Sequence, residues 1–266
     1  MDAANQDSLI SWVGGKKQLR KTISQYIPNN IQGYIEPFGG AGWLLFYKSK
    51  WAQLEVYNDI NSDLVNVFRI AKYHPEALLK EYEYMMASRE LFGQVRANPG
   101  FTEIQREARF MFLLHRSFGA IGEHFGTSKL TPVKSQQHLL KKIDLVSKRL
   151  DKVMIEHLSF EELVTKYDDP QNFFFCDPPY FHGHDYDLKF DHMMLYDVLS
   201  EMEGKWLLTY DDCQEARDLF QGYWMKSMVR QKGIERKHGD MEYKEVLIAN
   251  YEPIKQGLNT ELWDDE

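Results

Sequence analysis

Apolar and polar positions alternate along the 266-residue chain in three blocks. In the first, roughly residues 8–72, Gly33–Phe38 is a short β-prone run that stops at Gly39-Gly40-Ala41-Gly42. Trp43–Lys50 suits a helix and Leu54–Asn58 a buried strand. Asn61 stands where it would cap a helix with apolar Leu64, Val65, Phe68 and Ala71. The second block, about 73–151, reads as helical. Pro75 takes a first-turn position, and Thr102 and Gln105 have capping-box spacing before Phe110, Leu113 and Leu114. Glycines interrupt the pattern at Arg116-Ser117-Phe118-Gly119-Ala120-Ile121-Gly122, which predicts a loop or hairpin. The third block returns to alternation. Val153–His157 is strand-like, Ser159 and Glu162 form a second capping box, and Asn172–Cys176 is a continuous apolar strand ending at Asp177-Pro178-Pro179-Tyr180. Lys205–Tyr210 predicts another strand, with Asp211 or Asp212 capping the helix after it. Tyr223–Arg230 and Glu245–Tyr251 predict a closing antiparallel pair. Strands alternating with helices predict a doubly wound, mostly parallel α/β sheet. Ligands of such sheets sit beyond the C-terminal strand ends, where strand order reverses.

The composition, 43% hydrophobic and 27% charged, is globular, and no internal repeat or linker-like stretch divides the chain. No apolar run approaches the ~18 residues that span a bilayer, so no membrane association is expected. Met1–Leu9 lacks a basic-then-apolar leader, and two cysteines cannot form a disulfide scaffold, so the expected location is cytoplasmic. Net charge is −8, but it is uneven. From Lys72 to Lys152 there are 14 Lys and Arg against 9 Asp and Glu, and His124–Ile143 holds four lysines, Lys129 and Lys134 among them, with no acid. A basic face on an acidic protein can still engage phosphates, although a solvated helix face has the same composition.

Gly39–Gly42 lies between a strand and a helix, where glycines let the backbone approach a ligand closely. Asp59 follows at the end of the next strand, where a carboxylate can accept both hydroxyls of a ribose. Alone, either feature is also ordinary turn chemistry; together they favour a nucleoside-containing cofactor. Asp177-Pro178-Pro179-Tyr180 is far more specific. Its prolines fix the backbone, so the Asp177 carboxylate and the Pro178 carbonyl stand side by side as acceptors for one NH₂ group. Drawing on both protons pushes the amine lone pair out of ring conjugation and toward an electrophile. Tyr180 offers a ring face for stacking a planar base, with its hydroxyl idle in this reading.

These residues carry a resemblance. Trp12-Val13-Gly14-Gly15-Lys16, Glu36-Pro37-Phe38-Gly39-Gly40-Ala41-Gly42, Asn58-Asp59-Ile60-Asn61 and Asp177–Tyr180 occur in the order seen in Dam-like DNA adenine methyltransferases, and Lys244–Tyr251 looks like that family's last strand. The chain is similar to the family over about residues 8–251. The resemblance implies a Rossmann-like methyltransferase sheet, S-adenosylmethionine as methyl donor and the N6 amine of adenine in double-stranded DNA as acceptor. It implies cofactor contacts at Trp12, Lys16, Phe38, Gly39, Gly40, Ala41, Gly42, Asp59, Phe160 and Asp177, and catalysis by Asp177, Pro178, Pro179 and Tyr180. Arg116–Lys129 departs from the members with GATC preference and looks more like phage and mobile-element adenine methylases, so no recognition sequence carries over. A restriction endonuclease is the candidate protein partner.

Gly42 and Asp177 are 135 residues apart, about twice what the intervening sheet elements need at ~30 residues per βαβ unit. The surplus is the basic block. The expected organisation is a catalytic domain, 1–72 and 152–266, with a helical target-recognition insertion, 73–151. In the insertion, Arg116, Ser117, Lys129 and Lys134 are the candidate DNA contacts. The rival readings are an RNA or protein amine methyltransferase, a catalytically silent DNA-binding protein and a metal-dependent hydrolase. The last rests on His182-Gly183-His184-Asp185-Tyr186-Asp187, which departs from dinuclear metallohydrolase spacing, so no metal is expected. Cys176 adjoins the catalytic tetrapeptide but is read as a buried strand residue.

Overall fold

The computed structural model describes residues 7–126, 137–182, 190–230 and 243–254. After a single helical turn α1 (Arg20–Ile23), the chain forms β1 (Gly33–Glu36), β2 (Leu54–Asn58) and α2 (Ser62–Tyr73). Four helices follow: α3 (Pro75–Glu83), α4 (Arg89–Ala97), α5 (Glu103–Arg116) and α6 (Gln137–Leu150). The chain then returns to the sheet through β3 (Val153–Glu156), α7 (Phe160–Tyr167), β4 (Asn172–Cys176), α8 (His192–Glu201), β5 (Lys205–Asp211), α9 (Gln214–Leu219), β6 (Trp224–Arg230) and β7 (Tyr243–Ala249). The sheet order is β3-β2-β1-β4-β5-β7-β6, parallel except for β7, which runs antiparallel between β5 and β6. Strand order reverses between β1 and β4, so their C-terminal ends frame the crevice where such a sheet binds ligands.

The central strands are buried on both faces, which is why they read as unbroken apolar runs. Tyr34, Tyr57, Phe173, Phe175 and Leu207 point to the face covered by α2 and the helices after it. Ile35, Val56, Phe174, Cys176 and Leu208 point to the face covered by α7, α8 and α9. The first of these cores continues without a break into Leu78, Phe92, Met111, Phe112 and Ile143, so α3–α6 share a core with the sheet. The Arg149 guanidinium on α6 donates to both Glu55 carboxylate oxygens on β2, at 2.6 and 2.9 Å, with both side chains buried.

Both predicted capping boxes form, at Thr102/Gln105 and Ser159/Glu162, and Asn61 caps α2. Two expectations need correction. Trp43–Lys50 is not a helix but a 3-10 turn at Leu45–Tyr47. The Arg149 guanidinium takes the carbonyls of Leu45 and Lys48, two of the acceptors a longer helix would need. Nor do Asp211 and Asp212 cap α9; Cys213 does, because Asp211 accepts from the Phe181 and His182 amides and Asp212 pairs with Arg217.

Candidate active site

The glycine turn and Asp59 form one hydrogen-bonded unit. Gly39 N donates to the Asn58 carbonyl at 2.7 Å, and a side chain at Gly39 would collide with the Tyr57 ring. Gly40 and Gly42 have φ of +51° and +65°, a conformation side chains disfavour. Gly40 N then donates to Asp59 Oδ2 at 2.8 Å and Asn61 N to Oδ1 at 2.9 Å. Burial raises the Asp59 carboxyl pKa above its ordinary value, while the Asn61 and Gly40 amides act to lower it. Asn58 locks this end of β2 to the neighbouring loops, donating to the Pro37 and Leu158 carbonyls and accepting from Leu158 N.

Beside this turn, Phe38, Phe160 and Phe190 form a half-buried aromatic triangle with centroids 5.4–5.9 Å apart. Phe160 is the first residue of α7, set there by the Ser159 cap. Trp12 packs on Phe110 of α5, and its ring edge lies over Gly40.

Asp177–Tyr180 leaves the end of β4 next to β5. Register pairs Cys176 with Leu208, which brings Asp177 beside Thr209. Thr209 Oγ1 donates to Asp177 Oδ1 at 2.6 Å, and Lys16 Nζ contacts the same oxygen at 2.8 Å. Lys16 is buried, donates also to the Gly14 carbonyl, and lies 4.8 Å from the Tyr180 ring centroid. The Tyr180 hydroxyl is 3.3 Å from Asp177 Oδ1 and 3.1 Å from Glu245 Oε2. The hydroxyl is therefore hydrogen-bonded within the site, a contact that the sequence reading of the ring did not include. Burial, then the charges of Asp177 and Glu245, push the phenol pKa far above its ordinary value, so it stays protonated. The next two residues are held by β5, because Phe181 N and His182 N donate to the two Asp211 carboxylate oxygens.

Among the predicted DNA contacts, Arg116 and Ser117 sit at the base of a hairpin. Gly126 N donates to the Arg116 carbonyl, Phe118 N to His124 O, and Gly122 N to Ser117 Oγ. Arg116 itself is buried, whereas Phe118 and Ile121 are exposed on the hairpin. Lys129 and Lys134 lie outside the described residues. Of the histidine-rich segment, His182 comes near Asp211 and Cys213, with donor atoms within 4.8 Å of one another. His184, Asp185 and Asp187 lie outside the described residues. Cys176 is buried, and burial raises its thiol pKa.

Sequence reasoning missed Thr209, Asp211 and Glu245. A signal was present for Thr209, a polar residue inside an apolar strand run; Glu245, also buried, stands after Lys244 at the head of its run, where a charged residue is ordinary.

Residues 12–234 match the family described as D12 class N6 adenine-specific DNA methyltransferase. The chain is 28% identical to the type II methyltransferase M.MjaIII of Methanocaldococcus jannaschii, over 91% of this chain and 98% of that protein. It is 24% identical to the type II methyltransferase M.CviBI of Paramecium bursaria Chlorella virus NC1A, over 81% and 86%. It is also 23% identical to a DNA adenine methylase of Haemophilus influenzae, over 64% and 63%.

Proposed function

The chain belongs to the D12 class of N6 adenine-specific DNA methyltransferases, and from that premise we propose that it uses S-adenosylmethionine, bound across the crevice from Phe160 to Lys16, to methylate an extruded adenine held at Asp177–Tyr180. The observation that carries this reading is the hydrogen bond joining the glycine turn to the Asp59 carboxylate at the end of the aromatic triangle. The donor set fits the group: aromatic faces for its adenine, a buried carboxylate for its ribose hydroxyls, and a charged pocket for its amino-acid end. Phe38 and Phe160 flank the purine, Asp59 takes the ribose, Gly39–Gly42 lets the backbone come close, and Trp12, Lys16 and Asp177 line the far end. Bound there, S-adenosylmethionine supplies an electrophilic methyl group on a sulfonium.

The chain's own residues do the rest. Thr209 and Lys16 fix the Asp177 carboxylate, which with the Pro178 carbonyl accepts hydrogen bonds from the two N–H groups of the target amine and directs its lone pair outward; the one proton lost from the methylated nitrogen passes to solvent. The N6 amine of a paired adenine is engaged inside the duplex, so the base must leave the stack at a cost of a few kcal/mol. Stacking on Tyr180, worth ~1–3 kcal/mol, offsets part of that. Pro179 keeps the turn rigid between the two.

In this reading the helices between α2 and β3 and the hairpin after α5 grip and read the DNA. The surplus of basic residues over 72–152 supports it, with Lys129 and Lys134 as phosphate contacts and Arg116 and Ser117 shaping the hairpin that meets the bases. A restriction endonuclease of the same specificity is the proposed biological partner, since two of the relatives are type II methyltransferases. No helix among the described residues is long and apolar enough to cross a membrane; we place the enzyme in the cytoplasm, with its DNA.

The test is transfer of labelled methyl from S-adenosylmethionine to DNA by the purified protein, followed by mapping of modified adenines by long-read sequencing. Methylation at one short sequence is expected. Label appearing only on RNA or protein, or none on DNA, would overturn the reading.

A further inference from the structure

The hairpin after α5 has one arm held by a helix and one arm that needs another support. Its outgoing arm continues directly from α5, and Ser117 Oγ ties it back, donating to the Leu114 carbonyl and accepting from Gly122 N. The returning arm, 123–126, meets the outgoing one in a single antiparallel bridge, Ser117 to Phe125. Two backbone hydrogen bonds flank it, from Gly126 N to the Arg116 carbonyl and from Phe118 N to the His124 carbonyl. A two-stranded hairpin held by that alone is marginally stable in water.

The support comes from α4. Arg89, Phe92 and Arg96 stand three and four residues apart, which puts them on one stripe of the helix. All three touch the returning arm. The Phe92 ring meets the Phe125 ring edge-on with centroids 5.5 Å apart, the Arg89 guanidinium lies 5.4 Å from the centre of the same ring, and Arg96 Nη1 donates to the Glu123 carbonyl at 2.9 Å. Phe92 is buried and packs in turn on Phe112 of α5, in the core that α3–α6 share with the sheet. The hairpin is therefore joined to the body of the protein at two places, its root on α5 and Phe125 on α4.

Between the two arms, Phe118 and Ile121 are exposed. Apolar side chains gain nothing from phosphates, so their use on DNA is at base edges, where sequence is read. A reading element discriminates only while its supports hold its pose, because a loose one reaches right and wrong bases alike. Arginines in a basic block would ordinarily be read as phosphate contacts, but Arg96 already donates to a hairpin carbonyl and Arg89 lies over a hairpin ring.

We propose that α4 sets the pose of the hairpin on DNA, with Phe125 as anchor and Arg96 as brace. Both are then specificity-determining positioning residues that act through the hairpin rather than by contact with a base or a phosphate. The proposal rests on the reading above that the hairpin meets the bases.

The test uses the full chain, a duplex carrying the methylated sequence found by mapping, and duplexes with one base pair of it changed. Discrimination is the ratio of kcat/KM between them. Phe125→Ala should lower it by about tenfold, within the cost of one wrong base pair to a specific complex, while S-adenosylmethionine affinity stays within about twofold. Phe125→Tyr, which keeps the ring, should keep the ratio. Arg96→Ala should lower discrimination by about threefold, the low end for one hydrogen bond, and leave the salt dependence of DNA binding unchanged. Unchanged discrimination in Phe125→Ala would overturn the proposal. So would a salt dependence shallower by about one unit of slope in Arg96→Ala with discrimination kept, the mark of a phosphate contact. Ile121→Ala separates the two levels. If it lowers discrimination and Phe125→Ala does not, the anchor role alone falls; if neither does, the reading that the hairpin meets the bases falls with it.

Discussion

Gly40 N donates to Asp59 Oδ2 at 2.8 Å, so the turn after β1 and the carboxylate after β2 are set by one hydrogen bond. Asp59→Ala should weaken S-adenosylmethionine by at least ~1.5 kcal/mol, through loss of charge-assisted bonds to the ribose and of the bond that shapes the turn. Burial holds the Asp59 pKa up, so its charge is lost sooner than usual on acidification, and cofactor affinity should fall as pH falls through that raised value. Calorimetry across pH checks both; wild-type affinity in the variant would remove the ribose assignment.

Asp177 is held by Thr209 of the neighbouring strand and by Lys16. Asp177→Ala should abolish methyl transfer while DNA retention stays largely intact. Tritium transfer from labelled donor and a filter-retention assay separate the two. More than a few per cent of residual activity would make the residue structural.

Tyr180 carries two contributions that substitution can separate. Tyr180→Phe keeps the ring and loses the hydroxyl bonds to Asp177 and Glu245, and should lower kcat by about tenfold, the scale of one hydrogen bond to a charged group. Tyr180→Ala should lose far more, together with the stacking surface. With 2-aminopurine at the target position, the fluorescence rise on binding should persist in Tyr180→Phe and shrink in Tyr180→Ala. Phe performing as poorly as Ala would place the whole role in the hydroxyl.

The Arg149–Glu55 pair ties α6 to β2 with both partners buried. Arg149→Ala leaves a carboxylate without its cation and two turn carbonyls without their donor, and should cost about 3–5 kcal/mol of stability. Urea midpoints measure this, and an unchanged midpoint would mean the pair contributes nothing net.

Glu107 on α5 is buried against α2 and accepts from Asn66 Nδ2 at 2.7 Å. Burial pushes its pKa up to about 8, from an ordinary value of 4.5. The native state therefore holds this proton more tightly than the unfolded chain, so stability should fall as pH rises between 4.5 and about 8. Glu107→Gln should remove that slope and be the more stable protein above pH 8, by order of a few kcal/mol. Urea titrations at several pH values decide it; parallel slopes for the two proteins would contradict the assignment.

What the sequence by itself determined was whatever is encoded within a few residues. Strand periodicity, capping boxes at Thr102 and Ser159, the glycine turn and the Asp-Pro-Pro-Tyr tetrapeptide are local chemistry, and local chemistry survives without knowledge of neighbours. The order of these motifs was enough to indicate the family and the site's two halves. Only the tertiary structure decided which groups act on them. Arg149 reaches over a hundred residues back in sequence to end the turn at Leu45, and β7 inserts between β5 and β6 to deliver Glu245 to Tyr180. Asp211 looked like a helix cap because its sequence neighbours suit one, yet it faces the tetrapeptide's exit because β4 and β5 are paired in register. Such contacts follow from strand order and register, which buried apolar faces fix across the whole sheet, and no window of sequence contains them.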